Sequence, residues 1–127
     1  MRNYLLVAAG AAVGGVFRFW LSGSVQKLFN AAFPYGTLAV NILGSFFLAF
    51  IIFYFDAQEL ISSELKVLLT LGLCSGFTTF STFSLETVYL LQDAEYVYAV
   101  LNAAANLSLT VAAVILAYYL SKCLIGG

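Results

Sequence analysis

The chain has 127 residues, 63% of them hydrophobic and 9% charged, with a mean hydropathy of +1.01. A soluble domain of this length has no interior large enough to hide that much apolar surface, so the composition points to a lipid bilayer. A formal charge of −1 argues against a basic surface for nucleic acid or anionic lipid. The lack of histidine, with only two isolated cysteines, argues against a zinc centre. At about 20 residues per span, there is room for four helices and short loops. The expectation is an all-α membrane protein, with residues 1–127 forming a single four-helix transmembrane domain.

The first span is expected from about Tyr4 to Ser22. Arg2, an apolar run and small residues give the segment to Gly23 some features of a cleaved leader. Arg18 and Trp20 interrupt the place where a cleavage site would sit, so it reads as a retained span. Gly10 and Gly14, with Ala8, Ala11, Ala12 and Gly15, offer faces for close helix packing. Arg18 has two readings, an intramembrane functional charge or a side chain that snorkels to the nearby surface.

A connection from Gln26 to Tyr35 holds the only proline, Pro34, which biases Phe33 away from helix. The second span is expected from Gly36 to about Phe55. It carries Thr37, Asn41 and Ser45 at i, i+4 and i+8, hence on one face. A buried amide must find partners, and the Asn41 NH2 could supply two donors to an anion or bond to another helix.

After a short acidic loop from Asp56 to Glu64, the third span is expected between Lys66 and Leu91. Its centre is Gly72-Leu-Cys-Ser-Gly-Phe-Thr-Thr-Phe-Ser-Thr-Phe-Ser84, followed by Glu86. Non-helical backbone at that depth survives only inside protein or beside a watery cavity, and a broken span is a common mark of an ion site. A second reading makes Gly72 and Gly76 a small-xxx-small helix contact.

A tight turn at Gln92 to Glu95 leads to a fourth span from about Tyr96 to Leu120. Asn102, Asn106 and Thr110 again fall at i, i+4 and i+8, with Ser108 off that stripe. Tyr4, Trp20, Tyr54, Tyr96, Tyr98, Tyr118 and Tyr119 near span ends suit interfacial belts. With four spans, Arg2, Lys66 and Lys122 fall on one side and Arg18 and Lys27 toward the other. That near balance weakens the positive-inside signal. It predicts insertion in both orientations and permits an antiparallel homodimer.

Three spans therefore each offer a line of uncharged groups able to donate and accept: Thr37 and Asn41, then Thr79 and Thr82 leading to Glu86, then Asn102, Asn106 and Thr110. Such a line can pass a small ion without a fixed charge trapping it. Phe80 and Phe83, at i and i+3, border the polar cluster. Aromatic rings have positive edges that weakly attract an anion, although ordinary core packing would also explain the pair.

The run from Gly76 to Glu86, with Gly36-Thr-Leu-Ala-Val-Asn41 and Gly14-Gly-Val-Phe-Arg18 upstream, closely resembles the Fluc family of small bacterial fluoride channels. The likeness covers the whole length in matching order. It implies an antiparallel, dual-topology homodimer in the bacterial inner membrane, with a broken third helix and two fluoride pores. By the same resemblance, Asn41, Phe80, Phe83, Ser81, Thr82, Glu86 and, on the fourth span, Ser108 or Thr110 belong to the pore, with Arg18 near its vestibule. A structural sodium ion at the dimer centre would be held by the backbone carbonyls of Ser75 and Thr78. The family usually has glycine where this chain has Ser75, but a carbonyl ligand does not depend on the side chain.

The expected function is passive export of cytoplasmic fluoride. The alternative is a small proton-coupled dual-topology transporter using Glu86, since intramembrane carboxylates mark proton paths. A non-transporting subunit would leave three aligned polar stripes without a purpose. An enzyme is disfavoured, because no nucleophile stands with a base and no catalytic carboxylates are paired.

Overall fold

In the computed structural model, which describes residues 1–126, all regular structure is helical. Helix α1 spans Arg2–Phe29, α2 spans Tyr35–Asp56, α3 covers residues 63–77, α4 spans Phe80–Gln92, and α5 spans Tyr96–Gly126. The third membrane segment, Ser63–Gln92, is thus two helices, α3 and α4, in series. All four segments are long and apolar enough to cross a bilayer. Large apolar side chains such as Phe19, Leu28, Val97 and Leu107 face outward, as expected where lipid rather than water is the solvent.

The loops follow from local chemistry. Helix α1 runs on past Ser22 to Phe29 and ends at Asn30, whose left-handed conformation (φ 43°) is one that asparagine tolerates. Gln26 then ties the turn together. Its amide donates to the carbonyls of Ala31 and Phe33, each at 2.9 Å, and its oxygen accepts from the Gly36 N–H at 3.0 Å. Pro34 precedes the first residue of α2, where a missing N–H costs nothing to the helix. At the start of α3, the Ser62 hydroxyl caps the Leu65 N–H at 3.1 Å.

Helix α1 packs along α3, α2 packs along α5, and α4 rests against α5. The α1–α3 contact is backbone against backbone. A Cβ placed on Gly10 would lie 2.5 Å from the Leu68 carbonyl oxygen and 2.7 Å from the Leu73 nitrogen. One placed on Gly72 would lie 2.9 Å from the Gly10 Cα, and one on Gly76 would lie 2.7 Å from the Ala11 oxygen. Without a hydrophobic effect between helices in lipid, such close approach supplies the dispersion contact that holds them. Both readings of the Gly72–Ser84 stretch are therefore present, at different residues. The glycines pack against α1, and the helix breaks after them, at Thr78 and Thr79.

The Arg2 guanidinium meets the Glu64 carboxylate at 3.0 Å, and Lys66 meets Asp56 at 2.9 Å. These pairs place the start of α1, the end of α2 and the start of α3 on one side, as the four-span alternation requires. Being exposed, they mark topology more than they add stability.

Candidate functional site

The break in the third segment is built from two extended residues, Thr78 (φ −91°, ψ 159°) and Thr79 (φ −151°, ψ 121°). Thr79 caps α4, its hydroxyl oxygen accepting from the Thr82 N–H at 3.2 Å while its O–H donates to the Thr82 hydroxyl at 3.0 Å. Helix therefore resumes at Phe80, one residue after the position at which Thr79 would share a helical face with Thr82 and Glu86.

Broken backbone in a low-dielectric interior needs hydrogen-bond partners, and Asn41 provides them. The Asn41 Oδ1 accepts the Thr79 N–H at 2.8 Å, and its Nδ2 donates to the Thr79 carbonyl at 3.1 Å. The second hydrogen of Nδ2 goes to Asn106 Oδ1 at 3.0 Å. Both donors of this amide are thus directed to protein acceptors. From Asn106 the bonds continue to the Asn102 carbonyl and side-chain oxygen, both at 2.9 Å. Asn102 donates to the Thr87 hydroxyl at 2.9 Å, which donates to the Phe83 carbonyl at 2.8 Å.

Two cavities flank this arrangement. The first, of about 280 Å³, is bordered by Asn41, Ser45, Phe80, Phe83, Asn106 and Thr110. The Phe80 and Phe83 ring centroids are 5.3 Å apart at an interplanar angle of 61°, so an edge meets a face. Phe80 is 78% exposed, a high value for an aromatic ring beside a polar cavity. The second cavity, of about 450 Å³, is bordered by Ser22, Gln26, Thr37, Glu86, Tyr89 and Asp93. Glu86 Oε1 is shielded there and has no hydrogen-bond partner among the described residues. The stripe on α2 serves both spaces: Thr37 lines the second, and Asn41 and Ser45 line the first.

The remaining expected site residues are distributed as follows. Thr82 lies at the first turn of α4 and is held by Thr79. Ser81 is exposed on the outer face of α4. On α5, Thr110 lines the first cavity and bonds back to the Asn106 carbonyl. Ser108 is exposed and donates to the Ala104 carbonyl at 2.6 Å. Arg18 turns toward the break, its Nε donating to the Gly76 carbonyl at 3.2 Å. Gln26 and Thr87 received no role from the sequence. Gln26 acts on the backbone of an irregular turn, and Thr87 accepts from Asn102 on another helix, so helical spacing gave no signal for either.

The break also frees backbone oxygens. In a continuous helix the Thr79 N–H would bond to Ser75 O, and the Thr82 N–H to Thr78 O. Here the first goes to Asn41 and the second to the Thr79 hydroxyl. Ser75, meanwhile, is exposed on the outer face of the segment. Two released carbonyls are the hard oxygen donors that an alkali cation prefers, so these residues fit such an ion. Two oxygens from one chain remain fewer than a full coordination shell.

Against known proteins, a family model described as CrcB-like protein, Camphor Resistance (CrcB), matches residues 5–118. The chain is 48% identical over 109 residues to a protein of Shewanella sp. (strain W3-18-1), covering 86% of this chain and 87% of that one. A protein of Shewanella baltica (strain OS185) matches at 48%, and one of Shewanella sp. (strain ANA-3) at 47%, with the same coverage. All three bear the name Fluoride-specific ion channel FluC.

Proposed function

This chain belongs to the CrcB-like family, and from that premise we propose that it is a fluoride channel, a passive route for cytoplasmic fluoride out of a bacterial cell. It is a multi-pass membrane protein, and the reading makes it a conductor rather than an enzyme. The observation that carries the reading is the polar line of α2 joining two cavities, neither of them lined by lysine or arginine among the described residues. Fluoride is small and strongly hydrated, so a pore must replace its water with closely spaced donors. A fixed cation in the narrow part would hold the ion too tightly for conduction.

In this reading the ion passes from the space around Glu86 and Thr37, past Thr82 and Asn41, to the Phe80 and Phe83 rings. Hydroxyl groups exchange for water along the way. The ring edges give weak electrostatic attraction while excluding bulk water. Ser81, Ser108 and the exposed face of Phe80 would complete the path only when a second copy packs against this face. An antiparallel homodimer with two pores supplies that copy. Two-fold symmetry would also bring four carbonyls, from Ser75 and Thr78 of each chain, around a central sodium ion. Arg18, bonded to Gly76 beside those carbonyls, would hold the break from the α1 side.

Purified protein in liposomes, loaded with potassium fluoride and diluted into fluoride-free buffer with a potassium ionophore to carry the compensating charge, tests the reading. Rapid fluoride efflux that persists with a proton uncoupler is expected. No efflux, or efflux only under an imposed proton gradient, would overturn it. The second reading, a proton-coupled transporter, is favoured by the unpartnered oxygen of Glu86. Glu86→Gln separates the two. The channel keeps its flux within about twofold, while a carboxylate that must carry protons loses all transport.

A further inference from the structure

Asn106 borders the first cavity and Asn102 borders neither, and both are among the buried polar residues of the molecule. Asn102 is 0% exposed and Asn106 is 7% exposed. Burying two amides in a membrane protein is costly unless each finds its partners, and the way they find them has a direction. The Thr79 N–H can only donate and its carbonyl can only accept, so their double contact with Asn41 permits one orientation of that amide. Asn41 Nδ2 then requires an acceptor at Asn106, which turns Asn106 Nδ2 toward the Asn102 carbonyl, an obligate acceptor. Asn102 Oδ1 accepts from Asn106, so Asn102 Nδ2 must donate onward to Thr87. The Thr87 hydroxyl spends its one hydrogen on the Phe83 carbonyl. Every bond runs the same way, from Asn41 at the break to the backbone of Phe83.

We propose that Asn102, Asn106 and Thr87 are positioning residues that, through Asn41, hold the Phe80 and Phe83 rings at the conducting cavity. The two ends of the relay reach one short stretch of α4. One end holds Thr79, immediately before Phe80, and the other crosses from α5 to Thr87, one turn after Phe83, whose hydroxyl bonds back to the Phe83 carbonyl. Between them they tie the start of α4 to α2 and the turn after Phe83 to α5, so the stretch carrying both rings is fixed at its two ends. Asn102 and Thr87 border neither cavity, and Asn106, which borders the first, has its amide oxygen and nitrogen engaged within the relay. A relay of fixed polarity also explains why asparagine is suited to both α5 positions: each must accept on one side and donate on the other, which neither aspartate nor a hydrocarbon can do.

The inference rests on the fluoride-channel reading, and the experiment separates the two. In single-channel-loaded liposomes, the amplitude of fluoride efflux counts vesicles holding folded channel, and the time constant reports rate per channel. Wild type without efflux would defeat the channel reading itself. Given wild-type conduction, Thr87→Val, which keeps shape and loses the hydroxyl, is expected to slow the time constant about tenfold at near-normal amplitude. Thr87→Ser, which restores the hydroxyl, is expected to stay within about twofold of wild type. Asn102→Leu and Asn106→Leu should slow conduction at least as much and reduce fluoride-over-chloride discrimination in the vesicles that remain active. A wild-type time constant in Thr87→Val would overturn the proposal. So would a loss of amplitude alone in every variant, since that marks a purely structural role.

Discussion

Asn41 grips the backbone of Thr79 from both sides, taking its N–H at 2.8 Å and giving a hydrogen to its carbonyl at 3.1 Å. One side chain on α2 therefore does for the broken segment what the next turn of helix would otherwise do. The consequence is chemical as well as structural. The bond to Asn41 diverts the Thr79 N–H from Ser75 O, so the same contact opens the helix and exposes an oxygen.

Replacing this residue tests that coupling. Asn41→Asp sets a carboxylate oxygen against the Thr79 carbonyl and Asn106 Oδ1, where two N–H donors stood. Removing buried donors costs about 1–3 kcal/mol each. Fluoride flux is expected to fall more than tenfold, with the thermal unfolding midpoint in detergent lowered. Wild-type flux would remove Asn41 from the conducting site.

Phe80 should behave differently. Its ring is largely exposed in one chain, so Phe80→Ile should change the stability of the single chain by only about 0.5 kcal/mol. The loss of the aromatic edge at the cavity should still slow fluoride efflux more than tenfold. Efflux kinetics set beside a thermal melt distinguish a conduction defect from an unfolded protein. Unchanged kinetics would leave the ring as ordinary packing.

The glycine seam gives a contrast within one helix. Gly10→Val would drive a branched side chain into the Leu68 and Leu73 backbone, whereas a Cβ at Gly15 meets nothing within 4 Å. Backbone cannot step aside as a flexible side chain can, so Gly10→Val is expected to cost at least ~3 kcal/mol. Its yield of monodisperse protein by size exclusion should collapse. Gly15→Ala should be neutral within about 0.5 kcal/mol.

The central cation can be tested apart from flux. If the freed carbonyls of Ser75 and Thr78 hold sodium, exchanging sodium for potassium should lower the thermal midpoint of the assembled protein. The change corresponds to about 2.7 kcal/mol if sodium was present at a hundred times its dissociation constant. Ser75→Ala should preserve the sodium effect, because the ligand is the carbonyl and not the hydroxyl. Equal melts in the two salts would argue against the ion.

Part of the cavity lining was legible in the sequence. The i, i+4, i+8 spacing of Thr37, Asn41 and Ser45 put them on one face, and all three do line cavities. The same arithmetic aligned Asn102, Asn106 and Thr110 and put the first two within reach of each other, but gave no hint that the line continues across to Asn41 and Thr87. Helical periodicity reports which residues share a face. It does not report which donor meets which acceptor, because that depends on the distance between helices to a few tenths of an ångström.

The amino-acid order alone determined that this chain belongs in lipid, that it crosses four times, and that its third crossing is interrupted. Those outcomes follow from apolar run length and from polar groups placed where the bilayer offers no water. Only the tertiary structure decided where the interruption lies. The stretch contains two glycines and several threonines, any of which could have marked it. Close contact with α1 keeps Gly72 and Gly76 helical, while Asn41, arriving from another helix, stabilises the opened backbone at Thr79. A helix opens where an outside partner can satisfy its hydrogen bonds, and that partner is identified by packing.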